Sequence, residues 1–185
     1  MKRVDVCVRG AGAVGSCLAL ALARQGLSVA LQGAAARPAR EDVRTYALSG
    51  ASVQLLRELK VWEALPADAR TAVYDMHVEG DAAGSALDFS AWSQGVEALA
   101  WIVDAAELER ALAAAVSFAP HVQSVGEGEV DAPLLALAEG KASSTRDKLG
   151  VAMPVQRYGH SAVAARPPSG LAHAAVARQW SRSPA

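Results

Sequence analysis

The feature that most constrains the fold of this chain is the glycine-rich segment Gly10–Gly15, GAGAVG, near the start of the sequence. Valines alternate with other residues before it, and a run rich in Ala and Leu follows it as far as Arg24. The alternation predicts a strand, and the run, stopped at Gly26, predicts a helix. Residues 28–31 have the composition of a second strand, so the chain is predicted to open with a β-α-β unit.

In such a unit the three glycines have separate physical roles. The first permits the tight turn, the second lets backbone N–H groups approach a pyrophosphate, and the third lets the helix pack closely on the strand. The start of the helix adds partial positive charge. A tight turn without a ligand is the alternative. We expect a dinucleotide to be held by Gly10, Ala11, Gly12, Ala13, Val14 and Gly15.

Gln32 occupies the end of the second predicted strand, where dinucleotide-binding units usually place an acid that binds the ribose. An amide oxygen accepts hydrogen bonds more weakly than a carboxylate, and it adds no positive charge for a 2′-phosphate. An ordinary polar residue at a strand end is the alternative interpretation. The glycine pattern alone does not choose between NAD and FAD, so an NAD(P)-dependent dehydrogenase is also considered.

The rest of the chain alternates between helical and extended patterns. Helical spacing begins within TYALSGASVQLLRELKVWEAL, with Ser49 or Ser52 as its cap, and again near Asp104, and a short helix is predicted to end at Gly150. Extended patterns, including a hairpin around DAAG and a turn at Glu139–Gly140, are predicted for 71–80, 85–92, 101–103, 122–125, 133–138, 151–165 and 171–180.

Composition excludes several classes of function. The 185 residues include 18 basic and 19 acidic side chains, and no basic patch is interleaved with aromatics, so a nucleic-acid partner is not expected. Cys7 and Cys17 are predicted to be reduced thiols of a soluble, cytoplasmic protein. The four histidines lack metal-ligand spacing, so no metal site is expected. The four tryptophans are predicted to lie in the core.

Four blocks of the sequence occur in the order known from one enzyme family. They are VDVCVRGAGAVGSCLALALARQGLSVAL, DVRTYALSGASVQLLRELKVWEAL, VYDMHVEGDAAGSALDFSAW and LAWIVDAAELERAL. With LLALAEGKASSTRDKLGV, YGHSAVAA and AHAAVARQW further on, the chain resembles the FAD-dependent hydroxylases of ubiquinone biosynthesis, of the 2-octaprenyl-methoxyphenol hydroxylase type. These belong to the p-hydroxybenzoate-hydroxylase-like flavoprotein monooxygenases.

The resemblance implies an α/β fold, with a Rossmann-like FAD-binding domain beside an antiparallel β-sheet substrate domain that is incomplete at the C-terminus. Residues 1–70 and 98–150 would form the FAD-binding domain, residues 71–97 and 151–180 the β-rich portion, and 181–185 a tail. It also implies an oxidoreductase that uses FAD, NAD(P)H and O₂ to hydroxylate a prenylated phenol. A prenylated substrate would bring the protein to the surface of the inner membrane.

Site residues carried over by the resemblance extend beyond the glycines. Gln32 would face the adenosine ribose, and Arg44, in DVRTYAL, would lie near the cofactor phosphates. Glu139 stands where the family has Asp before a glycine, and its longer side chain displaces the carboxylate. Arg146 stands on the family's arginine, whereas His160 replaces an expected Gln. No catalytic acid or base is predicted, because the flavin performs the chemistry in this family.

The chain departs from the family in lacking its later G-D-A-A-H segment. The sequence GDAAG at 80–84 falls in the predicted hairpin, so we interpret it as a chance match. Strand and apolar edges are therefore expected to be open, covered by a partner or by a second copy of the chain. The alternative function is a non-catalytic nucleotide-binding or accessory domain, or an inactive fragment of such an enzyme.

Overall fold

The computed structural model describes residues 3–33, 42–82, 84–126, 128–141, 143–167, 170 and 172–181. The helices are α1 (Ala13–Arg24), α2 (Gly50–Glu58), α3 (Ala91–Gln94), α4 (Ala105–Phe118) and α5 (Ser144–Lys148). The strands are β1 (Val6–Arg9), β2 (Val29–Gln32), β3 (Thr45–Leu48), β4 (Arg70–Val73), β5 (Asp75–Glu79), β6 (Ala86–Ser90), β7 (Ala100–Asp104), β8 (Val122–Val125), β9 (Leu134–Leu137) and β10 (Val176–Trp180).

A parallel sheet of order β8-β2-β1-β9 forms the body of the protein. The predicted β1-α1-β2 unit is at its centre, and every residue of β2 is buried, as is typical of a parallel strand covered on both faces. Helix α1 packs against α4 beside this sheet. Cys7 is buried in β1 and Cys17 is half-buried in α1, and both are free thiols.

Helix α4 begins where the sequence predicted, because the Asp104 side chain caps it. Asp104 Oδ1 accepts hydrogen bonds from the backbone N–H of Ala106 at 2.9 Å and of Glu107 at 3.2 Å. Leu108 and Leu112, one turn apart, then project into the core and are 3% and 1% exposed. The cap and the apolar stripe together fix the start and the rotation of the helix.

A second, antiparallel sheet has the order β3-β7-β4. Residues 45–48, which precede the predicted helix caps, form β3 and pair with β7, and the predicted helix begins at Gly50. Ser49 marks the boundary, since its Oγ accepts a hydrogen bond from the Ser52 backbone N–H at 3.3 Å. Residues 45–48 form a strand because they pair with a strand more than fifty residues later, which local spacing does not reveal.

The third sheet has the order β10-β5-β6, in which β10 runs parallel to β5 and the β5–β6 pair is the predicted hairpin. The turn of that hairpin includes residue 83, which lies outside the described residues. The extended segment 71–80 is divided at Tyr74 between the second sheet and this one. Together the parallel and antiparallel sheets confirm the predicted α/β fold class.

The long strand predicted for residues 151–165 is wrong. This segment has no regular secondary structure and is exposed throughout. Its composition suits a strand, but no strand in the described part of the chain pairs with it. Only the end of the next predicted strand forms, as β10. The tryptophans also divide: Trp62 is buried, whereas Trp92 and Trp180 are 93% and 62% exposed, contrary to the core prediction.

None of the helices in the described ranges is long and apolar enough to cross a membrane.

Candidate functional site

The glycine turn lies at the carboxyl edge of the parallel sheet, where open α/β sheets bind their ligands. A cavity of ≈ 440 Å³ opens there between the ends of β1 and β2 and the start of α5. Its walls bring together residues more than a hundred positions apart in the sequence. They are Arg9, Gly10, Ala11, Gln32, Gly33, Gly128, Glu139, Ser144, Thr145 and Lys148.

Each of the three glycines has a different environment. Gly10 has a φ of +106°, and a Cβ there would lie 2.2 Å from the Ala138 carbonyl oxygen. A Cβ on Gly15 would lie 1.8 Å from the carbonyl oxygen of Gly10, so this glycine lets α1 approach the turn. A Cβ on Gly12 would meet nothing within 4 Å. Two glycines therefore serve the fold, while the third leaves an open space.

The start of α1 beside this open space is a site for negative charge. Its N-cap residue is Gly12, which has no side chain to accept from the first backbone N–H groups, and the first turn contains no acidic residue. Unpaired N–H groups and the helix dipole favour an anion at such a position. Ala13 and Val14 supply the first of these N–H groups, and the Val14 side chain is 74% exposed.

Gln32 lies in the cavity wall, but its side chain is occupied by contacts within the protein. It is 6% exposed. Its Nε2 donates to the carbonyl oxygens of Gly126 at 3.0 Å and Gly128 at 2.7 Å. Its Oε1 accepts from Arg9 Nε at 2.8 Å. Gln32 therefore joins β2 to the loop after β8 and to the end of β1.

Sequence analysis missed Arg9, which the structure places between Gln32 and α5. Besides its bond to Gln32, the guanidinium donates from Nη1 to Thr145 Oγ1 at 3.4 Å. The signal that could have found it is a charged residue directly between an apolar strand and the first glycine of the turn. Its partners could not be found that way, because Thr145 is 136 positions away.

Glu139 also lines the cavity, and its carboxylate is bonded to the start of α5. Ser143 Oγ donates to Oε2 at 2.5 Å and Thr145 Oγ1 donates to Oε1 at 3.0 Å. The Ser143 hydrogen bond, followed by that of Thr145, holds the pKa of Glu139 below its ordinary value. Arg9, Thr145 and Glu139 thus form one chain of hydrogen bonds along the wall of the cavity.

Two arginines carried over from the resemblance are not among the residues that line this cavity. Arg44 is 60% exposed and forms a bidentate pair with Asp42, whose pKa its guanidinium lowers to about 2. Arg146 donates from Nη2 to the Lys141 carbonyl oxygen at 3.0 Å. Its Nε is buried and has no hydrogen-bond partner among the described residues.

A metal site is not present in the described ranges, where no three His, Cys, Asp or Glu side chains could hold an ion together. One histidine and two carboxylates meet on the third sheet. His77 Nδ1 lies 2.6 Å from Asp88 Oδ1, and His77 Nε2 lies 2.8 Å from Glu79 Oε1. These two carboxylates raise the pKa of His77, Asp88 having the larger effect.

A family model described as an FAD binding domain matches residues 3–125 of this chain. The fold is similar to that of PqsL from Pseudomonas aeruginosa, a probable FAD-dependent monooxygenase. The TM-score is 0.63 at 19% identity, over 85% of this chain and 48% of PqsL.

Two further structures show the same fold. The p-nitrophenol 4-monooxygenase PnpA from Pseudomonas putida DLL-E4 matches with a TM-score of 0.61 at 16% identity, over 81% of this chain and 44% of its own. The flavin-dependent monooxygenase PieE, solved with FAD and substrate, matches with a TM-score of 0.55 at 20% identity, over 82% of this chain and 32% of PieE. The chain spans about half the length of PqsL and less than half the length of PnpA and PieE.

Proposed function

The chain belongs to the FAD binding domain family, with FAD as its cofactor, and from that premise we propose that it is part of a flavin-dependent aromatic hydroxylase. The observation that carries the proposal is the open position at Gly12, between two glycines that have no room for a side chain. FAD supplies the redox chemistry when it is bound, and this chain's residues bind and orient it.

The residues present fit the pyrophosphate of a dinucleotide. The open space at Gly12 admits phosphate oxygens close to the backbone, and the uncapped start of α1 offers N–H donors and partial positive charge. We assign this role to the segment Gly10–Gly15. Gln32 and Glu139 line the same cavity, so they belong to the same proposed site. Arg44 is a further proposed phosphate contact, based on the resemblance alone.

The substrate and the electron donor are proposed from the resemblance. An electron-rich prenylated phenol, of the kind found among ubiquinone precursors, would be hydroxylated with NAD(P)H and O₂. We propose that the sheet β10-β5-β6 belongs to the substrate domain and the parallel sheet to the FAD-binding domain. A prenyl chain on the substrate favours contact with a membrane surface. PqsL, one of the similar structures, has been solved with 2-aminobenzoylacetate, itself a small aromatic compound.

The proposal is tested by titrating the purified chain with FAD while following flavin fluorescence and visible absorption. We expect saturable binding. Gly12→Val should weaken it at least tenfold, because the new side chain fills the space proposed for the pyrophosphate. The matched control is Gly50→Ala at the start of α2, which also has open space around it.

Both variants should remain folded by circular dichroism, because a Cβ at either position meets no heavy atom within 4 Å. Equal FAD affinity in wild type and Gly12→Val would contradict the proposed site. If FAD binds and no NAD(P)H is oxidised in the presence of phenolic substrates, the chain is instead a flavin-binding accessory domain, the second candidate function.

A further inference from the structure

Among the described residues that line the cavity at the end of the parallel sheet, cationic side chains outnumber carboxylates. Arg9 and Lys148 stand there with one carboxylate, that of Glu139. That carboxylate is already bonded to two hydroxyl groups at the start of α5. In dinucleotide-binding units this part of the site usually presents an acid to the ribose hydroxyls. Here the described residues present mainly cations and backbone.

Gln32, at the position of that acid, has almost no capacity left for a ligand. Both hydrogens of its amide group are donated to the carbonyl oxygens of Gly126 and Gly128. Its oxygen accepts from Arg9 and retains one lone pair. A side chain that is 6% exposed and bonded on three sides holds its neighbours in place rather than reaching a ligand.

Arg9 has more N–H donors than its hydrogen bonds to Gln32 and Thr145 use. Of the five N–H donors of a guanidinium, one bonds to Gln32 and one to Thr145. The guanidinium also lies near Cys7, where burial raises the pKa of the thiol and Arg9 offsets part of that increase. At least two donors of this partly exposed side chain have no partner among the described residues. Its orientation is fixed because Gln32 and Thr145 hold it from two sides.

Building on the FAD-binding role proposed above, we propose that Arg9 makes the contact with the adenosine ribose, with Gln32 as its positioning residue, and that the cavity accepts a phosphate group on that ribose. A guanidinium donates to hydroxyl oxygens where an acid would accept from them. It also attracts a 2′-phosphate, which a carboxylate repels. The preferred ligands are therefore adenine nucleotides, including those phosphorylated on the ribose.

The test compares two probes, adenosine 2′,5′-bisphosphate and 5′-AMP, by calorimetric titration, and FAD by fluorescence. The wild type should bind the bisphosphate about tenfold more tightly than 5′-AMP. Arg9→Met should remove that preference and weaken FAD binding about tenfold. Arg9→Lys keeps the positive charge but loses the planar, bidentate donors of the guanidinium, so it should keep part of the preference for the bisphosphate. The matched control is Arg24→Gln, an exposed arginine outside this cavity, which should change neither affinity.

Each result distinguishes this inference from the proposed function. If FAD binds equally to wild type and to a folded Arg9→Met, as judged by circular dichroism, the role of Arg9 is wrong and the proposed function stands. If FAD fails to bind but the bisphosphate binds in an Arg9-dependent manner, the proposed function fails and the role of Arg9 stands. If the wild type shows no preference for the bisphosphate, the inference is overturned.

Discussion

Two segments of this chain carry nearly the same sequence pattern and have opposite structures. At the start, Val4, Val6 and Val8 alternate with other residues, lead into β1 and are at most 4% exposed. In residues 151–155, VAMPV, large apolar side chains also occupy every second position, with Ala152 and Pro154 between them, yet Met153 is 44% and Val155 72% exposed, and no strand forms.

The difference between the two segments is a partner. β1 pairs on one side with β2 and on the other with β9, so each of its residues gains ladder hydrogen bonds and two covered faces. The 151–155 segment has no neighbouring strand in the described part of the chain, and Pro154 lacks a backbone N–H to donate. Alternation thus predicts which face a strand would bury, and pairing decides whether the strand exists.

The largest expected effect separates the two segments by their contribution to stability. Leu112→Ala, at a 1% exposed side chain of α4, should lower the free energy of unfolding by about 3 to 5 kcal/mol, because it leaves a cavity in the core. Val155→Ala should change it by less than about 0.5 kcal/mol. Urea denaturation followed by circular dichroism measures both. A comparable loss in the two variants would show that residues 151–155 are packed in solution.

A second pair of variants sharpens the comparison inside the glycine turn. Gly15→Ala should cost about 2 to 3 kcal/mol, since its Cβ meets a backbone oxygen that cannot rotate away. Gly12→Ala should cost less, about 1 kcal/mol or under, because its Cβ points into open space and only the N-cap preference for Gly over Ala is lost. Thermal unfolding at one scan rate would compare them, and equal losses would contradict the assigned environments.

A third prediction concerns the contact between Arg166, which follows the exposed segment 151–165, and Asp104, the cap of α4 in the body of the protein. Arg166 donates from Nη1 to Asp104 Oδ2 at 2.5 Å and from Nη2 to the Arg44 carbonyl oxygen at 2.9 Å. Asp104→Ala should lower stability by about 1 to 2 kcal/mol through the lost cap, and Asp104→Asn by less, because Asn also caps helices. Arg166→Ala should cost under about 1 kcal/mol, since the pair is partly exposed.

The combined variant Asp104→Ala/Arg166→Ala measures how strongly these regions are coupled. Because the two side chains bond to each other, the loss in the double variant should be smaller than the sum of the single losses. Strict additivity would mean that Arg166 does not hold residues 151–167 against the body of the protein.

The smallest effect is expected on the third sheet, at the exposed pairing of His77 with Asp88 and Glu79. Because the pKa of His77 is raised, its stabilising contribution is complete below the ordinary pKa of about 6.5 and is lost as the pH rises through the higher folded value. NMR titration of the His77 ring should give a midpoint above 6.5, and Asp88→Asn should lower it. A midpoint unchanged by that variant would remove Asp88 as the main cause.

The sequence predicted those parts of the fold that depend on nearby residues. The β1-α1-β2 unit, the start of α4 at Asp104 and the β5–β6 hairpin each follow from local periodicity and a cap or turn. The strand at residues 45–48 could not be predicted in this way, because its partner β7 begins at Ala100. Long-range pairing leaves no mark on local spacing.

The candidate site was predicted in the same uneven manner. The glycine turn follows from its spacing, and the structure places Gln32 and Glu139 in the wall of one cavity with it. The role of Arg9 depends on a hydrogen bond to a residue 23 positions away and on another to α5, and no sequence pattern encodes that geometry. Arg44, whose carry-over rests on a short motif, is paired with Asp42, and its contact with the cofactor phosphates stays a prediction.

The two cysteines on either side of the glycine turn make its local opening measurable. Burial raises the pKa of Cys17 to about 11 and also raises that of Cys7, so in the closed structure both sulfurs remain protonated and poorly nucleophilic at neutral pH. An alkylating reagent therefore reacts with Cys7, which is 3% exposed, mainly in molecules in which β1 and α1 have transiently separated. The rate of thiol modification therefore measures how often β1 and α1 separate, and a nucleotide bound at the turn would lower that rate.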